Sequence, residues 1–180
     1  MRQLWIFVVI VLVAGCATRV SSIRTDEVVP LVGGSGYLLI GVETAHDLNF
    51  VDLDGPKSIR LSDKDLRAGT NYILIELPAG VYTISELTLG TSQRFVLDDE
   101  DNWQVDVKKQ RISYVGHLVV KSRGYWARRA SIELENRSSQ ALEFLEQDFP
   151  VILAGYPLDY GGPGKDHFLP YVASQNGSAD

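Results

Sequence analysis

Nine short segments rich in β-branched and aromatic residues recur at close spacing along the chain, at 37–43, 49–53, 58–61, 71–77, 81–89, 93–97, 103–107, 112–121 and 129–135. Gly, Pro, Asn or Asp interrupts each of them. This rhythm constrains the chain to an antiparallel sandwich or barrel. Two segments alternate cleanly: Trp103, Val105 and Val107 against Gln104 and Asp106, and Ala130, Ile132 and Leu134 against Ser131, Glu133 and Glu135. Each has one dry and one wet face. Residues 37–137 are therefore expected to form a single antiparallel β-sandwich.

Residues 139–149 read as the one helix, with Leu142, Leu145 and Phe149 at helical spacing and Pro150 as its stop. Ser138 or Ser139 is the expected N-cap, and no acid lies three residues on to complete a capping box. The helix is expected over an edge or open end of the sandwich. From Val151 to Val172 the chain is aromatic and rich in Gly and Pro, which predicts an ordered wrap. Residues 138–172 thus belong to the same domain, and residues 173–180 read as a frayed tail.

The amino terminus has a different character. Met1-Arg2-Gln3 precedes an unbroken apolar run from Leu4 to Ala14, and then come Gly15 and Cys16. The run is about a dozen residues, short of the roughly 20 that cross a bilayer as a helix, so it reads as an export signal over residues 1–15. Its end, Leu12-Val13-Ala14-Gly15-Cys16, resembles the lipobox of bacterial lipoproteins. The resemblance implies diacylglyceryl transfer to the Cys16 thiol, cleavage between Gly15 and Cys16, and acylation of the new amino terminus with palmitate-type chains. Several chains on one residue meet the need for more than one anchoring signal. Ala17 stands where an aspartate retains Gram-negative lipoproteins at the inner membrane, so the resemblance further implies the periplasmic face of the outer membrane.

Cys16 is the only cysteine. The exported chain has no internal disulfide, and the fold stands on its core alone. Residues 16–36 comprise the lipidated cysteine and a polar stretch broken by Pro30 and Gly33-Gly34-Ser35-Gly36. It reads as a tether with a reach of roughly 25 Å, although 28–32 also suits an edge strand. The formal charge is -6, from 17 basic and 23 acidic residues. That balance argues against nucleic acid and against a polybasic membrane grip.

The segment Leu77-Pro78-Ala79-Gly80-Val81-Tyr82 resembles the L-P-x-G-x-Y signature of transthyretin-like and carboxypeptidase-regulatory-like β-sandwich domains. The resemblance implies a hairpin in which Gly80 takes positive φ and Tyr82 points back across the sandwich. Tyr114-Val115-Gly116-His117-Leu118 is similar to the Y-x-G-x-[LI] strand that follows in many proteobacterial lipoproteins. The likeness covers about two thirds of the exported chain and bears on fold rather than activity.

Catalytic and metal-binding patterns are weak. His46, His117 and His167 lack metal-ligand spacing and no second cysteine helps them, so neither metal nor cofactor is expected. His117 reads as a hydrogen-bonded or surface residue of a strand. The acidic run 98–102 reads as a solvated turn rather than a calcium loop, and Asp52-Leu53-Asp54-Gly55 reads as another turn. Gly-x-Ser-x-Gly is missing, and nothing nominates a serine to join Asp166 and His167 in a triad. Gly161-Gly162-Pro163-Gly164-Lys165 lacks the Gly-Lys-Ser/Thr ending of a phosphate loop.

The expected binding feature is the connection 121–129, which carries Arg123, Tyr125, Trp126 and Arg128 between two strands. Aromatics beside arginine on a loop suit a protein groove, glycans or anionic headgroups. Trp126 alternatively plugs the sandwich end. The Lys108-Lys109-Gln110-Arg111 turn belongs to the other end of the 112–121 strand. The sequence thus predicts a lipid-anchored, non-enzymatic module of the cell envelope that binds another envelope protein, without catalytic residues. The alternatives are a glycan- or lipid-binding accessory of envelope maintenance and, third, an envelope hydrolase.

Overall fold

A computed structural model describes residues 17–90, 93–97, 100–122 and 130–176. The protein is mainly β. Its strands are β1 (Thr18–Val20), β2 (Ser35–Thr44), β3 (Leu48–Asp54), β4 (Ile59–Leu61), β5 (Gly69–Pro78), β6 (Gly80–Leu89), β7 (Gln93–Val96), β8 (Gln104–Val107), β9 (Ile112–Ser122), β10 (Ala130–Glu135) and β11 (Leu158–Tyr160). The helices are α1 (Glu100–Trp103), α2 (Ser138–Asp148), α3 (Pro150–Gly155) and α4 (Phe168–Asn176). Each of the nine segments expected as strands contains one, although Trp103, expected to open the 103–107 strand, ends α1 instead, and β1 and β11 are additional.

Two mixed sheets result, one ordered β1-β4-β3-β6-β7 with β8 also on β6, the other β10-β9-β2-β5 with β11 also on β9. The expectation of purely antiparallel pairing is corrected, because β1–β4, β2–β9 and β9–β11 run parallel. The chain passes through the first sheet between β5 and β9, so no hairpin joins β2 to β9 and nothing forces them antiparallel. The inner faces share one core, in which Leu38 and Ile40 of β2 and Val115 and Leu118 of β9 join Leu53, Ile84 and Val105 of the opposite sheet. β8 turns Val105 and Val107 inward as its alternation predicts, whereas Ile132 and Leu134 of the edge strand β10 are only half-buried.

The Pro-x-Gly motif is a corner rather than a hairpin. β5 pairs with β2 and β6 pairs with β3, so Pro78, Ala79 and Gly80 carry the chain from one sheet to the other. Gly80 has φ +147°. Tyr82 is fully buried and donates its hydroxyl to the Pro78 carbonyl at 2.9 Å, which closes the corner.

β9 carries a bulge where two residue steps of β2, Leu39 to Gly41, face three steps from Tyr114 to His117. Gly116 takes φ +120° there, a backbone state that a side chain would strain. The extra residue turns Tyr114 and His117 to the same outer face while Val115 and Leu118 stay in the shared core.

That outer face is covered. Ala141, Leu145, Phe149 and Ile152 of the helical segment pack with Leu39, Leu74, Ile112 and Tyr114. The helices therefore lie across a sheet face, not an edge or open end, because the second sheet is apolar on both sides. The inward stripe is turned by one residue from the expected one: Ala141 is buried and Leu142 half-buried. The N-cap is Arg137, and the Asn136 side chain accepts the Ser138 amide at 3.0 Å. Pro150 ends α2 but also opens α3 as its first residue, a position that suits a residue without an N–H. Asp26 caps α3 by accepting the amides of Val151 and Ile152 at 2.8 and 2.9 Å.

The expected tether is built into the fold from residue 18 on. β1 pairs with β4, the Ser22 amide donates to Asp65 at 2.9 Å, and the Ile23 amide donates to Leu74 O at 2.8 Å. The Leu74 amide in turn donates to Ser22 Oγ at 3.0 Å, and Leu31 is buried. Residues 28–32 are not a strand. Ser22, Asp26 and Leu31 supply the polar and apolar contacts that a solvated tether lacks. At the other terminus α4 takes residues 173–176, expected as frayed tail, into a helix.

Candidate functional site

A surface cleft of about 490 Å³ lies between β11, the 161–167 loop and α4. Its floor is held by the Gly-rich turn, where the Asp106 amide donates to Gly161 O at 2.7 Å and Gly161 N to Tyr114 O at 2.9 Å. Tyr160 stands in the wall with its hydroxyl donated to Pro163 O at 2.8 Å, and burial pushes that phenol's pKa up. Asp159 is paired with Lys108 at 3.3 Å and with Arg111 at 3.1 Å. Asp166 accepts the Leu169 amide at 2.8 Å and Asn136 Nδ2 at 3.0 Å. Burial alone would raise its carboxyl, but these hydrogen bonds outweigh it and hold the pKa below the usual value.

Chemically, the cleft presents cations, the ion-paired Asp159, the amide-capped Asp166 and the ring of Tyr160. Lys165 and His167 are exposed on its rim. The residues lining it include no Ser, Thr or Cys, and the hydroxyl they do include, that of Tyr160, is donated to Pro163 O rather than to the Asp166-His167 pair. Asp166 is engaged in opening α4. The sequence marks this stretch only as an aromatic wrap; the signal it offers is the Gly161-Gly162-Pro163-Gly164 turn, and nothing in it joins Lys108 to Asp159.

His117 is placed differently from expectation. It is fully buried, neither surface nor hydrogen-bonded, and both ring nitrogens lack a partner among the described residues. The ring packs edge-on to Tyr72 at 5.5 Å and against Gly41, where a Cβ would lie 2.1 Å from Nδ1. Burial lowers its pKa below 6.5, and the nearby Arg137 guanidinium lowers it further. Arg137 pairs with Glu43 at 2.6 Å and Glu135 at 2.8 Å. His46 lies in the 44–48 turn and His167 on the cleft, so the structure brings no two histidines together. No group of three His, Cys, Asp or Glu side chains gathers as metal ligands among the described residues. Asp52 and Asp54, expected in a turn, belong to β3, where Asp52 pairs with Arg60.

Gly15, Cys16, Asp98, Asp99, Arg123, Tyr125, Trp126 and Arg128 lie outside the described residues. The strand ends that flank 123–129 are described: Ser122 pairs with Ala130, and Lys121 and Ser122 border a groove of about 420 Å³ with Glu43, Thr44 and Thr70. The Lys108–Arg111 turn enters β9 at its other end, ten residue steps away, or ~33 Å at 3.3 Å per step. No protein-family model matches the chain, and no curated protein or solved structure matches it either.

Proposed function

We propose that the chain is a lipid-anchored lipoprotein of the cell envelope, seated on the periplasmic face of the outer membrane. Its transthyretin-like β-sandwich acts there as a non-enzymatic module that binds another envelope protein through the 121–129 connection. One observation carries this reading. The chain enters the domain at Thr18, beside Ser58, and the connection after β9 leaves from the opposite end. An anchor at Cys16 would then turn the strand ends Ser122 and Ala130, which flank the 121–129 connection, away from the bilayer. The groove beside Lys121 and Ser122 adds concave surface at that end. The positive φ of Gly80 and the burial of Tyr82 accord with the sandwich resemblance.

The test is crosslinking in cells of the full-length chain and a Cys16→Ala variant, followed by capture and mass spectrometry of fractionated envelopes. The expected result is one envelope protein recovered with the anchored form and lost with Trp126→Ala at unchanged Tm. A Trp126→Ala protein that unfolds early contradicts the binding role. A second reading, a glycan-binding accessory, is favoured by the 490 Å³ cleft with Tyr160 and Lys165 in its lining. It predicts chemical-shift changes at those residues on titration with soluble cell-wall glycan fragments.

A further inference from the structure

We propose that the end of the domain where the chain enters β1 is a membrane-contact face, held against an anionic phospholipid surface. This rests on the lipidation of Cys16 proposed above and states how that anchor orients the domain. Cys16 precedes Thr18 by two residues, a reach of at most ~7 Å. The Thr18 amide donates to Ser58 O at 2.9 Å, and β1 is paired with β4 from its first residue. A bilayer that holds Cys16 is therefore brought to this end of the molecule, not held off by a 20-residue tether.

Four connections converge at that end, over 32–35, 55–58, 78–81 and 108–111. Ala79 N donates to Gly34 O at 3.0 Å and Gln110 N to Ser35 O at 2.9 Å, and Gly80 lies directly against Pro56. These connections contain Lys57, Lys108, Lys109 and Arg111 and no acidic residue, within a chain of 23 acidic and 17 basic residues. Asp54, Asp106 and Asp159 are on adjoining strand ends, and Asp159 is held by Lys108 and Arg111. The same connections carry the exposed Lys57 and Lys109 and the apolar tips Val32, 78% exposed, and Val81, 54% exposed, with Asp106 the cross-strand partner of Val81. Apolar tips among cations form the pattern that inserts into an anionic headgroup layer. The whole-chain charge hides this face because its cations come from connections far apart in sequence.

Acylation consumes the thiol of Cys16, the sole cysteine, so one introduced cysteine carries an environment-sensitive dye alone. Full-length lipidated Val32→Cys, Val81→Cys and Thr70→Cys proteins, the last labelled at the far end, are reconstituted into vesicles of phosphatidylethanolamine and phosphatidylglycerol. Mass spectrometry reads the lipid on Cys16 in the same samples. The expected result is a lipidated Cys16, with dyes at 32 and 81 blue-shifted and quenched by headgroup quenchers and the dye at 70 unaffected. Lys57→Glu with Lys109→Glu weakens the shift, as does high salt. A lipidated protein whose three dyes behave alike overturns the contact face and leaves the anchor standing. Unmodified Cys16 overturns both. Quenching protection seen only in native envelope membranes assigns this end to a protein and likewise overturns the proposal.

Discussion

The two sheets treat their outer faces in opposite ways. The β10-β9-β2-β5 sheet is apolar on both sides and buries its outer face under α2, α3 and residues 22–31. The β1-β4-β3-β6-β7 sheet leaves its outer face to solvent and lines it with charge: Arg60 pairs with Asp52 at 2.6 Å and lies over the Phe50 ring at 3.8 Å, and Arg94 pairs with Glu86. The difference is written in the strands. β2 and β9 are nearly continuous apolar runs, whereas β3 alternates apolar with Asn49, Asp52 and Asp54. Burial on both faces demands a cover, and the chain supplies one from its two ends. A helical layer over one sheet is thus a consequence of strand composition.

Truncations under the cover and in the shared core should hurt most and alike. Leu145→Ala and Leu53→Ala are each expected to cost about 2–5 kcal/mol in urea unfolding, and a much smaller loss for Leu145→Ala would show that the cover is loosely packed. Next comes Asp65→Ala. This buried carboxylate accepts the Ser22 amide and the Arg24 guanidinium, so its loss should cost about 1.5–3 kcal/mol and raise amide exchange across residues 18–24. Smaller again is the effect of His117. Its pKa is lowered on folding, so the unfolded chain binds the proton more readily. The stability it leaves intact above pH 6.5 is lost as pH falls through that value toward the folded pKa. Chemical unfolding between pH 7 and 5 should show this slope, flattened in His117→Gln, while Glu43, held low by the Arg137 hydrogen bond, responds only in more acid solution. The open face should respond least. A double-mutant cycle on Arg60 and Asp52 is expected to give ~0.2–1 kcal/mol, and a coupling of several kcal/mol would erase the contrast between the faces.

The strands are legible because period and punctuation are local. Val105 and Val107 face inward because Gln104 and Asp106 cannot. The parallel β2–β9 pairing is not legible, since it depends on where the chain goes between them. Nor is the corner at Pro78-Ala79-Gly80, because one turn motif serves a hairpin and a change of sheet equally well. The structural role of residues 17–32 is hidden for the same reason: Ser22 meets Asp65 43 positions on, and Asp26 caps α3 from 125 positions away. A polar, Gly- and Pro-broken segment looks like a tether until those partners are known. Of the site, the Gly-rich turn under the cleft is visible in sequence, but its Lys108–Asp159 pair joins two distant segments, and His117 is buried only because a bulge turns it under the cover.

Residues 18–31 belong to the domain, so that whatever holds Cys16 holds the sheets. Amide hydrogen exchange on the purified Cys16→Ala protein tests it directly. The amides of Thr18, Ser22 and Ile23, which donate to Ser58, Asp65 and Leu74, should exchange slowly and in step with the strand amides of β4 and β5. Exchange at the rate of an unstructured chain over residues 18–31, beside protected β4 and β5, would show a solvated tether instead.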